Sequence, residues 1–166
     1  MPNHDWSTFT QRVPVRATTQ QLYDAWATQE GLERWFLRKA EFTQPDKTVR
    51  DRKSYVQQGD AYEWLWHGWS DDTVEHGTVF EANGKDFFKF SFGNAGIVSV
   101  TIKTEQGISL VELVQMGIPT DEDSKASFHV GCTKGWVFYL TNLKSIFEGG
   151  IDLRNRDVNL KNVVTA

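Results

Sequence analysis

From His129 to Phe147 the apolar positions form one continuous helical stripe. At about 100° per residue, Trp136, Leu140, Leu143 and Phe147 fall within a narrow arc, and Tyr139 and Ile146 widen it on one side. Lys134, Thr141, Lys144 and Glu148 lie opposite, and Gly149-Gly150 supplies the stop. Between Tyr55 and Met116 the period changes to two. Tyr62, Trp64 and Trp66 share a face, as do Phe88, Phe90 and Phe92, then Val98, Val100 and Ile102, then Val111, Leu113 and Gln115. Turn chemistry separates these runs at Gly59-Asp60, Asp71-Asp72, Asn83-Gly84, Gly93-Asn94 and Gln106-Gly107. Asn83-Gly84 is the strongest signal, because both central residues of a type I′ turn need positive φ. The pattern predicts an antiparallel meander with one aromatic face, on which a long C-terminal helix lays its stripe.

Thr8 to Arg16 reads as a first strand, with Phe9, Val13 and Val15 among polar residues. Thr18 or Thr19 is placed to cap a helix carrying Leu22, Tyr23, Trp26 and Ala27. Gly31 marks a break before a second helical turn with Leu32, Trp35 and Phe36. Pro119 to Lys125 forms an acidic loop whose Asp121, Glu122 and Asp123 lie near the start of the long helix, where negative charge is favourable. The chain reads as one domain, residues 1–166, with its core over about 6–154 and a polar tail at 155–166. In the polar stretch that follows Gly150, only the first part, with Ile151 and Leu153, is expected to pack.

A chain of 166 residues buries roughly two-thirds of its unfolded surface without further staples. Its single cysteine, Cys132, forms no internal bridge, in keeping with a reducing compartment. No run approaches the ~18 apolar residues of a membrane span, and no charged-then-apolar leader follows Met1. The expectation is a soluble cytoplasmic protein. A net charge of −4 argues against nucleic acid as a partner. The one basic run, Lys47, Arg50, Arg52 and Lys53, is broken by Asp51 and reads as a solvated strand face. Seven tryptophans are many for this length, and rings so concentrated fill a core or line a cleft.

Strand, two short helices, antiparallel meander and long C-terminal helix make an α+β helix-grip arrangement, a curved sheet wrapped around the last helix. Leu22-Tyr23-Asp24-Ala25-Trp26-Ala27-Thr28 and Gly31-Leu32-Glu33-Arg34-Trp35-Phe36 resemble the opening motif of the START-like (SRPBCC) superfamily. Gly77-Thr78-Val79-Phe80-Glu81, and Gly135-Trp136 leading to Leu140, Asn142, Leu143 and Lys144, are similar to the branch typified by the C-terminal domain of the heat-shock-protein-90 ATPase activator. The likeness runs from about Trp6 to Arg154. It implies a cavity between sheet and helix that takes apolar or aromatic molecules, without naming one. It also implies two alternatives: a co-chaperone-like module with a chaperone as protein partner, or a cyclase or hydrolase using the same cavity.

The residues expected to line that cavity are Tyr62, Trp64, Trp66, Phe88, Phe90, Val111, Leu113 and Gln115 from the sheet, with Trp136 and Leu140 from the helix. Trp35 and Phe36 are expected at one mouth. For each ring alone, plain core packing accounts for the pattern; so many rigid rings on one concave face point to a void. The Gln115 amide either meets a ligand or is satisfied by neighbouring backbone. An enzyme of the alternative kind would polarise a carbonyl with Gln115 or Tyr62. His4, His67, His76 and His129 show no metal-ligand spacing, and by parity His67 points to solvent. Cys132 lies on the apolar stripe as a small hydrophobe, Glu63 and Glu112 face away from the cavity, and no phosphate loop is present. No catalytic residue, metal or cofactor is assigned.

Overall fold

The computed structural model describes residues 2–164. Seven antiparallel strands form one sheet in the order β1-β7-β6-β5-β4-β3-β2. The strands are β1 (Thr8–Val15), β2 (Lys39–Thr43), β3 (Ala61–Leu65), β4 (Val74–Ala82), β5 (Phe87–Ser91), β6 (Ile97–Glu105) and β7 (Ile108–Met116). Helices α1 (Thr19–Ala27) and α2 (Gln29–Trp35) follow β1, and α4 (Gly131–Phe147) closes the fold. The helix-grip expectation therefore holds, with β2 as an added edge strand.

Helix α1 starts where its cap predicts. The Thr18 hydroxyl accepts from the Gln21 amide, and the Gln21 side chain accepts in return from the Thr18 amide. The break between α1 and α2 lies at Thr28, whose hydroxyl caps α2 through the Gly31 amide, and not at Gly31. Gly31 sits inside α2 because a Cβ there would lie 2.0 Å from the Asp24 carbonyl oxygen. The glycine lets the two helices meet, and it does not break either.

The turns also sort differently from their sequence signals. Gln106 and Gly107 both take positive φ (51° and 79°) and join β6 to β7 as the two-residue turn. In Asn83-Gly84 only Gly84 does so, and the Asn83 side-chain oxygen instead accepts from the amides of Lys85, Asp86 and Phe87. Gly59-Asp60 is no hairpin. It ends a loop from Gln44 in which Arg50 reaches inward to Asp60, a residue with no exposed surface, and Arg52 pairs with Glu33. The basic run is thus a loop with one inward cation, not a strand face.

Helix α4 is entered through one helical turn, α3 (Glu122–Ser124), and a wider π turn over Lys125–Val130. The acidic loop delivers its charge to α3, where the Asp121 side chain caps the Ser124 amide. In the π turn His129 is buried, its Nδ1 2.9 Å from the Trp6 carbonyl oxygen and its Nε2 3.0 Å from His4 Nε2. The tail departs from expectation too. Ile151 is 74% exposed, and the buried side chain is Arg154. Its guanidinium donates to the carbonyls of Glu33, Arg34 and Leu37 at the end of α2 and to Asp152.

Candidate functional site

All the inward strand positions read from the alternation lie on the face that packs against α4 and α1. Trp64 sits across the ladder from Ala40 on one side and Glu75 on the other, and Tyr62 from Phe42 and Gly77. A Cβ at Gly77 would lie 2.4 Å from the Tyr62 ring, so this glycine is the floor under that ring. Phe88 and Phe90 pair with Val100 and Val98, and Val111, Leu113 and Gln115 continue the face. Trp136 and Leu140 cover it from α4. Eleven of the twelve residues named from sequence are buried, and Trp66 alone is partly exposed.

The rings touch one another throughout this interior. Tyr62 and Trp64 stack at 3.9 Å between centroids, Phe36 lies 5.0 Å from Trp136, and Phe92 lies 5.5 Å from Trp136. Trp35 and Phe36 do not form a mouth. Both are buried, and Trp35 Nε1 donates to the Ala25 carbonyl at 2.9 Å. Trp66, Phe92 and Cys132, at the end of β3, the end of β5 and the start of α4, are among the half-exposed residues that border the interior. They mark one place where the interior approaches solvent.

Polar groups inside are few and informative. The Gln115 amide donates to the Ala95 carbonyl at 2.8 Å and accepts from Trp136 Nε1 at 2.9 Å, so neighbouring groups satisfy it. Tyr62 donates to the Ser91 carbonyl at 2.6 Å, and burial lifts its phenol far above the usual range. Burial likewise pushes up the Cys132 thiol, partly offset by its hydrogen bond with Gln115, which leaves it a poor nucleophile at neutral pH. Two indole N–H groups, of Trp26 and Trp64, are buried without a hydrogen-bond partner.

Glu75 is the site residue that the sequence reading passed over. It faces inward beside Trp64 and is half-buried, and burial raises its carboxyl pKa. Its carboxylate lies over Gly93, where a Cβ would come within 2.5 Å of Oε1. Parity along Glu75, Gly77 and Val79 carried the signal, since Val79 is apolar and buried. Glu63 and Glu112 do face outward, the first pairing with Lys39 and the second with Arg12 and Lys103. His67, expected in solvent, is half-buried, and burial together with Arg154 and Arg156 pushes its pKa down to about 4.

Two clefts lie outside this interior. One of about 580 Å³ runs between α1, α2 and the Lys53–Tyr55 loop, with Arg34 and Phe147 on its wall. The other, about 690 Å³, lies on the outer side of α4 between Val137, Phe138 and the tail residues Val163 and Val164. Among the described residues no group of three or more His, Cys, Asp and Glu side chains is arranged to hold a metal ion, and no helix is long and apolar enough to cross a membrane.

Residues 16–148 match the family described as Activator of Hsp90 ATPase homolog 1-like protein. The chain belongs to that family. Solved structures support the same fold for this Hsp90-activator-like chain. Protein SSP2350 from Staphylococcus saprophyticus superposes with a TM-score of 0.68 at 14% identity, covering 91% of this chain and 98% of that one. The Aha1 dimer from Colwellia psychrerythraea gives 0.63 at 16% identity, over 86% and 97%. CalU16 from Micromonospora echinospora gives 0.60 at 15%, over 88% and 77%. No curated protein matches the chain. At such identities these likenesses speak for the fold alone.

Proposed function

We propose that this Hsp90-activator-like chain binds a small apolar or aromatic molecule between its sheet and α4, entered past Trp66, Phe92 and Cys132, and that it does so without catalysis. The observation that carries the reading is the pair of unpartnered indole donors, Trp26 and Trp64, inside an apolar interior rich in rings. A core that only packs satisfies its buried donors. Donors left open inside a grip of rigid rings fit a place that a guest completes. Gln115, Tyr62 and the raised Cys132 thiol are all engaged or inert, which favours a container over a cyclase or hydrolase.

The test is equilibrium dialysis of the full chain against naphthalene. Saturable binding of one molecule per chain is the expected result. Trp64→Ala and Trp66→Ala are expected to weaken it by about tenfold or more through lost apolar contact, while both keep a cooperative melt. Equal affinity in both variants contradicts the reading.

A second reading, an interaction module for a chaperone-like protein partner, draws on the outer face of α4, where the exposed Val137 lines the apolar cleft. It predicts stimulation of a heat-shock-protein-90 ATPase by the chain, lost in Val137→Asp. A chaperone that neither binds the chain nor responds to it disposes of this reading.

A further inference from the structure

The position of Glu75 narrows the kind of molecule that would fit. Trp64 and Glu75 are direct partners across the β3–β4 ladder, and both point to the inner face. The Trp64 indole is wholly buried, and its Nε1–H meets no acceptor. The Glu75 carboxyl forms no hydrogen bond and no ion pair among the described residues, and no bond joins it to the indole beside it. An unpartnered donor and an unpartnered acceptor therefore sit on adjacent side chains of one wall. The indole's surroundings are apolar, with Tyr62 stacked on Trp64 at 3.9 Å, Phe90 5.1 Å from it and Phe92 6.5 Å, while the half-buried Glu75 carboxylate borders solvent.

We propose that the guest is an alcohol or phenol, an apolar body with one hydroxyl group that accepts from the Trp64 indole and donates to the Glu75 carboxylate. The inference rests on the container reading above and adds the chemical class. An indole offers only a donor and an ionised carboxylate only acceptors. A hydroxyl completes both at once. An ammonium ion would serve the carboxylate and leave the indole open, and a ketone or ether would do the reverse. Partial burial lifts the Glu75 carboxyl above its usual range, against the opposing charge of His76. Phe92 and Cys132, half-exposed, leave the pair close to the entrance, so the hydroxyl end of the guest lies outward and its apolar body inward along Trp64 and Trp136.

The experiment compares beta-naphthol with naphthalene, two probes that differ by one hydroxyl, by equilibrium dialysis on the full chain. The expected result is that beta-naphthol binds about tenfold tighter, the size of one hydrogen bond to a charged group. The preference should fall to unity or below in Glu75→Leu and, independently, in Trp64→Phe, which keeps a ring and removes the N–H. Cooperative melts of both variants confirm folding, and Glu75→Met, which also removes the acceptor, replaces Glu75→Leu if the latter fails. Naphthalene binding as tightly as beta-naphthol to the unaltered chain overturns the hydroxyl assignment and leaves the container standing. A preference that survives both substitutions places the hydroxyl elsewhere and overturns the assignment to this pair. Binding of neither probe overturns both readings.

Discussion

Arg154→Met is expected to lower folding stability by about 3–5 kcal/mol, because the buried guanidinium ties three backbone carbonyls and a carboxylate into one cluster. Its side chain is 2% exposed and donates to the carbonyls of Glu33 (3.1 Å), Leu37 (3.1 Å) and Arg34 (2.9 Å). These are carbonyls that a short helix leaves open at its C-terminus. The same guanidinium is 2.8 Å from the Asp152 carboxylate, which also accepts from Asn142, whose amide in turn reaches the Trp35 carbonyl at 2.8 Å. A methionine fills the volume but takes the guanidinium away from the three carbonyls, while Asp152 keeps Asn142 and Arg156. Arg154→Lys should recover little, since a single ammonium cannot span three carbonyls and a carboxylate. An unfolding free energy from denaturant titration within about 0.5 kcal/mol of the unaltered chain's would show that the cluster is incidental.

The same cluster sets the acid limb of stability. Burial raises the Asp152 carboxyl, but the side-chain and backbone hydrogen bonds from Arg154, with Arg156, outweigh it and hold the group well below its ordinary value of 3.8. Its contribution is therefore complete above that value and is lost as pH falls below it. His67 acts over a higher window. With its pKa pushed from 6.5 down to about 4 by burial and by Arg154 and Arg156, the unfolded chain takes up a proton that the folded chain refuses. The His67 contribution should fall as pH drops from 6.5 towards 4 and level off there, and the further loss below 3.8 belongs to Asp152. In Arg154→Met the His67 titration, followed by its ring proton resonance, should move upward.

Asp60→Ala should cost a similar ~3–5 kcal/mol. Asp60 is fully buried at the end of the long loop between β2 and β3, accepting from Arg50 Nε at 2.5 Å, Arg50 Nη2 at 2.9 Å and the Gln57 amide at 2.9 Å. Removing the carboxylate leaves a guanidinium whose side chain is only 14% exposed without a counter-charge. The double variant Arg50→Met with Asp60→Leu should regain much of the loss, since both desolvated charges are gone. A thermodynamic cycle in which the two single changes simply add would contradict this account of the loop.

Periodicity is strong where burial is one-sided and long. For that reason the inward faces of β3 and β5 to β7 and the stripe of α4 were legible in Trp64, Phe88, Phe90, Val98, Val111 and Trp136. The edge strand β2 escaped notice because it offers only Ala40 and Phe42 over five residues. Gly31 read as punctuation, yet its role is a close approach to Asp24, a tertiary fact with no local signal. Arg50 read as part of a solvated face and Arg154 carried no signal, because their partners, Asp60 and the carbonyls of α2, are set by folding and not by neighbourhood in the chain. The candidate site was legible as a set of residues, whereas its satisfaction was not. That Gln115 is engaged, that the Trp64 indole is open and that Glu75 stands beside it depend on ladder register and rotamers.

The central claim, a small molecule held between the sheet and α4, is tested most directly by native mass spectrometry of the gently purified chain, repeated after incubation with naphthalene. The account predicts a mass excess of one small molecule per chain that is released on denaturation, and loss of that excess in Trp64→Ala. The bare mass of the chain in both preparations would contradict it.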